Sequence, residues 1–332
     1  MSTSFGPLLQ FALVIGFVMA IALSLLIAGI ERPLRRVLAG KSPRQRLRIL
    51  YGLLMAPALL GLGYVLLTLS VPSLFADSAW LAAACHGHAD NLWHLCLWHP
   101  SDRGQSAWLW AALVLWLGYA AWLAGRAATA LWRHRRRLAA LLRLSRRSGS
   151  AGQFHIVEAD QPVAMACGVA RRHVLLSTAL LERLDARQLQ VVLAHEQAHH
   201  RHRDVFWRLL AGVLSWIQLP GPRQRLARDL ELALEQRCDR SAAESVGCPL
   251  VVAETIVTVR KMLRQDVPLP TPLGLAFVSD FVSERVQALL APPPSASSWL
   301  DALLVTGLFS FCVVSIGWLH RVAEVLIAVL PG

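Results

Sequence analysis

The chain has 332 residues, of which 55% are hydrophobic and 16% are charged. This composition is more apolar and less charged than that of typical soluble domains, which argues against a purely soluble protein. The formal net charge is +12, but the basic residues cluster beside the apolar runs, as they do in the cytoplasmic loops of membrane proteins. We therefore expect membrane lipid around the apolar runs and no direct nucleic-acid partner.

Four apolar segments are long enough to cross a bilayer, which takes about 20 residues. They extend approximately over Pro7–Ile30, Ile49–Val71, Ala107–Gly125 and Ala302–Leu319. The first segment lacks the basic start and the cleavage site of a signal peptide, so we expect it to be a permanent membrane anchor.

The distribution of charge predicts the topology. Residues 31–48 and the segment after residue 125 are rich in arginine, whereas residues 72–106 carry more acidic than basic side chains. The positive-inside rule places the two basic segments in the cytoplasm and residues 72–106 outside. This predicts a membrane domain over residues 1–127 with three transmembrane helices, a cytoplasmic domain over 128–298, and a fourth transmembrane helix with a short tail over 299–332. The expected location is the inner (plasma) membrane, with several spans.

The predicted outer loop contains two cysteines, Cys85 and Cys96. If the loop faces an oxidising compartment, these two residues are candidates for a disulfide. Four histidines in the same loop leave open the alternative of an external metal site. They are His86, His88, His94 and His99.

The predicted cytoplasmic domain opens with short β-like runs, among them HVLLS and VAMACG (Val163 to Gly168). The VAMACG run is equally compatible with a core strand and with an edge strand that pairs with an extended substrate. Gly168 and the basic residues after it predict a hairpin turn. Helices are expected from Ser177 onward and then over approximately Ala186–Ile217, Arg223–Ser245 and Val251–Arg264.

The string LAHEQAHHRHRD contains an HExxH motif, in which His195 and His199 lie four residues apart. On a helix both imidazoles face the same side and can reach one metal ion. Glu196 is then placed to activate a metal-bound water.

A later predicted helix, LELALEQRCDRSAAE, supplies carboxylates for the same site. Two histidines and one glutamate are a standard ligand set of catalytic zinc, so we predict one zinc per chain with Glu235 as third ligand. Asp239 is four residues further along and is predicted to bond the far nitrogen of a ligand histidine. Glu231 is a weaker candidate for the third ligand because no aspartate lies four residues after it.

The combination of HExxH and ExxxD resembles the thermolysin-like gluzincins. HEQAHHRHRD followed by EQRCDRSAA resembles more closely the membrane metallopeptidases of the BlaR/MecR antirepressor type. This resemblance implies that His195, His199 and Glu235 bind zinc, that Glu196 is the general base, and that a zinc domain lies between the third and fourth spans. The sequence has no outer penicillin-binding domain after the fourth span, so beta-lactam sensing is not expected.

Other polar residues near these motifs have less specific interpretations. His202 lies close to the face of the histidine pair but fits a solvated basic surface better, and Asp204 is expected to cap or pair with that surface. Cys238 could be a thiolate ligand, although a buried structural thiol is favoured. An oxyanion donor should also exist, for which the candidates are Arg172, Arg237 and Arg240.

The predicted fold is therefore mainly α, with four transmembrane helices and a cytoplasmic α+β gluzincin-like metallopeptidase domain between the third and fourth spans. The expected activity is that of a zinc endopeptidase acting on a protein substrate. The resemblance implies a transcriptional repressor as that substrate. The alternatives are a quality-control protease for membrane proteins and a non-catalytic receptor that retains a zinc-binding fold.

Overall fold

A computed structural model describes residues 5–70, 107–148, 154–168, 173–265, 275–276, 281–291 and 306–307. The α-helices are α1 (Phe5–Ala39), α2 (Pro43–Ser70), α3 (Ala107–Leu144), α4 (Thr178–Arg183), α5 (Ala186–His202), α6 (Asp204–Leu214), α7 (Pro220–Val246), α8 (Pro249–Gln265) and α9 (Val282–Leu290). The strands are β1 (Ser145–Ser148), β2 (Phe154–Val157), β3 (Ala164–Cys167), β4 (His173–Ser177) and β5 (Leu275–Ala276). The mainly helical fold expected from the sequence is confirmed.

Helices α1 and α2 form a hairpin whose two glycines allow close contact. A Cβ atom built on Gly16 would lie 2.7 Å from the Gly61 carbonyl oxygen, so the backbones approach more closely than side chains would permit. Most of the basic segment over residues 31–48 is helical, because α1 continues to Ala39 and α2 already begins at Pro43, and its cytoplasmic location stays a prediction. Within the described residues, two helical stretches, Ile15–Ala39 and Pro43–Leu66, are long and apolar enough to cross a membrane.

Helix α3 begins where the third span was predicted but continues for 38 residues to Leu144. Its arginine-rich second half is therefore helical, and it leads directly into strand β1. The predicted fourth span lies almost entirely outside the described residues. The arrangement of four spans stays a prediction.

A side chain from outside α2 replaces the hydrogen bond that a proline inside this helix cannot make. Pro57 has no N–H, so it cannot donate a helical hydrogen bond to the carbonyl of Leu53 four residues earlier. The Gln218 side-chain amide donates instead to the carbonyl oxygens of Leu53 and Leu54, at 2.6 and 3.0 Å. This contact fastens the hairpin to the segment that precedes α7.

The described strands form one sheet in the order β1-β2-β4-β3-β5. Strands β3 and β4 are antiparallel neighbours, and Gly168, which follows β3, has a φ of 94° that favours glycine. This agrees with the hairpin predicted there. Strand β3 is buried throughout and also pairs with β5 at Met165 and Ala166, so the core-strand interpretation is correct at those positions.

Helices α4, α5, α7 and α8 pack beside the sheet around a common aliphatic core. Its fully buried members include Leu176, Leu180, Val191, Ala242 and Ile256. Burial of such side chains contributes roughly 1.5–3 kcal/mol each. The core holds α5 and α7 side by side, and these two helices carry the motifs.

The helix predicted over residues 186–217 is interrupted. It ends at His202, and Arg203 adopts the left-handed conformation with φ 56° and ψ 38° before α6 begins at Asp204. Helix α7 begins earlier than predicted, at Pro220, because proline is well suited to the first position of a helix.

Candidate metal centre

Helix α5 carries the HExxH motif and is fixed at its start by a reciprocal cap. The Asp185 side chain accepts a hydrogen bond from the Gln188 backbone, while the Gln188 side chain accepts one from the Asp185 backbone. Further along, His195 and His199 lie on the buried face, and their Nε2 atoms are 3.1 Å apart. Both imidazoles thus face one point in the interior.

Glu235 of α7 faces the same point. Its carboxylate oxygens lie 3.5 Å from His195 Nε2 and 3.7 Å from His199 Nε2. Oε2 of Glu235 is buried without a hydrogen bond of normal geometry in the described part of the chain. Two imidazole nitrogens and one carboxylate oxygen, brought together in this way, are suitable donors for zinc.

Asp239, one turn after Glu235, contacts the other nitrogen of the first histidine. Its Oδ1 lies 3.0 Å from His195 Nδ1. Burial alone would lower the pKa of His195, but Asp239 and Glu235 raise it to about 9. In the metal-free site these carboxylates therefore favour the imidazolium form of His195, and a bound cation has to displace its additional proton.

Arg285 of α9 neutralises the two carboxylates of α7. Its guanidinium donates to Asp239 Oδ2 at 2.8 Å and Oδ1 at 2.6 Å, and it lies 3.1 Å from Glu235 Oε2. Burial alone would raise the pKa of Glu235, but the Arg285 guanidinium and the site histidines hold it well below its ordinary value. Glu235 is thus a charged carboxylate, the form in which it can bind a cation.

A third carboxylate, Asp204, lies behind the second histidine. Its Oδ2 is 2.8 Å from His199 Nδ1, and its other oxygen pairs with Arg237. Burial would raise the pKa of Asp204, but His199 and Arg237 lower it. The expectation that Asp204 caps or pairs with an exposed basic surface is wrong, because it is buried against His199.

Glu196, next to His195 in the sequence, is fully buried. Neither of its carboxylate oxygens makes a hydrogen bond of normal geometry within the residues that the structure describes. Burial raises the pKa of this carboxyl group. A carboxylate that is short of hydrogen bonds has a strong affinity for protons, as expected of a general base.

The thiol of Cys238 is buried beside the second histidine. Its Sγ lies 3.3 Å from His199 Nδ1 and 3.7 Å from Asp204 Oδ2, and these three residues could be considered a second metal-binding group. Burial, together with the nearby carboxylates, raises the pKa of the thiol well above its ordinary value. In the metal-free centre this favours the protonated thiol, and the structural role of Cys238 stays a prediction.

The remaining candidates are engaged elsewhere. Glu231 pairs with Arg208 at 2.6 Å. Of the oxyanion candidates, Arg237 is bound to Asp204, and Arg240 donates to the carbonyl oxygen of Ala288. Each guanidinium thus has a protein partner, and the assignment of an oxyanion donor stays a prediction. Seven of the residues singled out from the sequence lie outside the described part of the chain, namely Arg172, Cys85, Cys96, His86, His88, His94 and His99.

Two residues of the centre were not found from the sequence. Arg285 is 46 residues from its partner Asp239, and its only local signal is a charged side chain on the inward face of a short amphipathic helix. Asp204 follows the basic string HHRHR, which suggested an exposed surface. No periodicity indicated the break at Arg203 that brings Asp204 back to His199.

Parts of the chain are similar to known peptidases and proteases. Residues 128–259 match the family described as Peptidase family M48. One segment is 39% identical over 69 residues to the protease HtpX homolog of Helicobacter pylori, covering 20% of this chain and 22% of that protein. A longer one is 28% identical over 146 residues to the protease HtpX homolog of Acidiphilium cryptum, covering 34% of this chain and 51% of that protein.

The similarities are to proteins named as peptidases or proteases, and the family match covers both the HExxH motif and Glu235. The protease HtpX homolog of Aquifex aeolicus is 24% identical over 195 residues, covering 46% of this chain and 64% of that protein. The chain spans about a fifth of the length of the first of these relatives, 22%. The similarity thus supports the M48 type, and the narrower BlaR/MecR resemblance stays a prediction.

Proposed function

We propose that this chain is a membrane-bound zinc endopeptidase in which His195, His199 and Glu235 hold the metal. The observation that carries the proposal is the arrangement of α5 and α7. Two imidazole Nε2 atoms 3.1 Å apart meet one buried carboxylate. The Glu196 carboxylate next to His195 is fully buried, and neither of its oxygens makes a hydrogen bond of normal geometry within the described residues. A purely structural histidine pair would not require an adjacent carboxylate that is buried and unsatisfied.

The residues of the centre have separate parts in peptide hydrolysis. Bound zinc supplies Lewis-acid polarisation of the peptide carbonyl and lowers the pKa of water. Glu196 takes a proton from the attacking water and passes it to the amide nitrogen as the C–N bond breaks. Asp239 orients His195, and Arg285 keeps Asp239 and Glu235 ionised through the contacts described above.

The membrane location is supported by the surface of the first three helices. Large apolar side chains are exposed on α1, α2 and α3, among them Leu25 (54%), Leu66 (55%) and Leu115 (74%). Many exposed apolar side chains on neighbouring helices are what a membrane contact would require. In this proposal, the zinc domain lies on the cytoplasmic side of a multi-pass protein of the inner membrane.

The finer proposal concerns the substrate. The resemblance of HEQAHHRHRD and EQRCDRSAA to the antirepressor metallopeptidases supports a transcriptional repressor, which would give the protease a signalling role. The alternative raised by the sequence, a quality-control protease that cleaves membrane proteins, is also compatible with the similarity to proteases. Incubating the purified protein with each class of substrate, and sequencing the new termini, distinguishes the two.

Metal content and proteolysis test the activity itself. The purified chain is expected to hold about one zinc, and His195→Ala or Glu235→Ala should lose it. Glu196→Gln should retain zinc and lose peptidase activity. His202→Gln is the matched control, since it changes a histidine of α5 that lies outside the centre and should leave both properties intact. Full activity of Glu196→Gln would refute the mechanism.

A further inference from the structure

The second histidine of the centre has a carboxylate partner that no pattern in the sequence indicates. Asp204 is 1% exposed, and its Oδ2 lies 2.8 Å from His199 Nδ1. With the Nδ1 proton donated to this carboxylate, the lone pair of Nε2 faces His195 and Glu235. A histidine that ligates a metal through Nε2 requires this tautomer.

A continuous helix could not make this contact. Successive residues of an α-helix are rotated by about 100°, so the fifth residue after His199 would lie about 140° around the helix from it. The chain instead turns at Arg203, which is the single non-glycine residue with positive φ in the described part of the chain. The left-handed conformation costs an arginine free energy, and such strain persists where the surrounding structure requires it.

The position of Asp204 is fixed from its other side as well. Arg237 of α7 pairs with Oδ1, so the two oxygens of one carboxylate contact two different helices. Its position at the start of α6 links it further to α2, because Trp207 of α6 contacts Tyr51, with ring centroids 6.2 Å apart. The carboxylate therefore has little freedom to rotate away from His199.

We propose that Asp204, held by Arg237 and by the turn at Arg203, is a positioning residue that fixes the tautomer and ring orientation of His199 for zinc. This inference rests on the proposed function in one respect, namely that His199 is a zinc ligand. It gives each histidine of the centre its own carboxylate, Asp239 for His195 and Asp204 for His199.

Zinc affinity, measured by competition with a chromogenic chelator, tests this role without reference to catalysis. Asp204→Asn should weaken zinc binding about 10- to 100-fold, the usual effect of removing the partner of a ligand histidine, and Asp204→Ala should weaken it further. With cobalt in place of zinc, the visible absorption bands of Asp204→Asn should shift, since they report coordination geometry. A purely structural role would not move them.

Glu31→Gln is the matched control. Glu31 is likewise a fully buried carboxylate held by arginine, Arg225, but it lies on α1 and contacts no residue of the centre. This variant should lose stability and keep the wild-type zinc affinity and cobalt spectrum. If Asp204→Ala fails to fold, Arg237→Met provides the second measurement, with weaker zinc binding expected.

The outcomes separate this inference from the proposed function. Wild-type zinc affinity and an unchanged cobalt spectrum in both Asp204→Asn and Arg237→Met would overturn the positioning role, provided that Glu235→Ala loses the metal. Failure of the wild-type chain itself to bind zinc would instead overturn the assignment of the metal centre.

Discussion

Replacing Arg285 with methionine tests the electrostatic balance of the centre. Arg285 is 1% exposed, and its single positive charge is paired with two buried carboxylates, Asp239 and Glu235. Methionine retains most of the apolar volume, so the main loss is the charge. Leaving a buried charge without its partner costs about 3–5 kcal/mol. For a domain of this size we expect the Tm of the metal-free protein to fall by about 6–20 °C.

The loss should be smaller when zinc is present. A bound cation next to Glu235 takes over part of the charge compensation that Arg285 provides in the metal-free protein. Thermal unfolding of purified protein, with a chelator and then with excess zinc, measures both values. Binding of zinc also stabilises the wild type by mass action, so each variant is compared with the wild type at the same metal concentration.

The matched control for this experiment is Arg208→Met. Arg208 also pairs with a glutamate of α7, Glu231, but the two side chains are 27% and 34% exposed. Such a partly solvated pair contributes about 1 kcal/mol or less. If Arg285→Met destabilises the metal-free protein no more than Arg208→Met does, the assignment of Arg285 as the compensating charge is wrong.

Three further predictions concern regions outside the metal centre. Gly61→Ala should weaken packing of α1 on α2 and lower the Tm, because its Cβ would lie 2.6 Å from a carbonyl oxygen, whereas Gly52→Ala, which meets nothing within 4 Å, should not. Gln218→Leu leaves the buried carbonyl oxygen of Leu53 without a donor and should cost about 1–3 kcal/mol, which equal unfolding midpoints would contradict. Burial, with His173 nearby, lowers the pKa of His155 below its ordinary value of 6.5. The folded protein should therefore lose stability as the pH falls from 6.5 through the lowered pKa of His155. The loss should disappear in His155→Gln, and an unchanged pH profile of this variant would refute the prediction.

The convergence of His195, His199 and Glu235 could be predicted because each motif encodes part of its own geometry. Residues four apart share a helical face, so HExxH orients two imidazoles together and ExxxD orients two carboxylates together. Asp239 was predicted to reach a ligand histidine on the same reasoning, and it lies 3.0 Å from His195 Nδ1. Only the relative placement of α5 and α7 had to come from the tertiary structure.

The compensating charges could not be predicted, since they depend on contacts between distant segments. Arg285 belongs to a nine-residue helix whose sequence, VSERVQALL, resembles many surface helices. The contact of Asp204 depends on a left-handed Arg203, a conformation for which arginine has no preference. The continuous helix expected over residues 186–217 would have directed Asp204 away from the centre.

Helix α7 connects the α1–α2 hairpin to the metal centre. On one side it binds the hairpin, where Asp229 pairs with Arg35 and the Gln236 side chain accepts a hydrogen bond from Arg46 at 2.8 Å. On a neighbouring face the same helix carries Glu235. Helix α7 is continuous over 27 residues, and an α-helix without a break transmits displacement along its whole length. A rigid-body shift of α7 at its contacts with α1 and α2 would therefore also move the carboxylate that meets the two histidines.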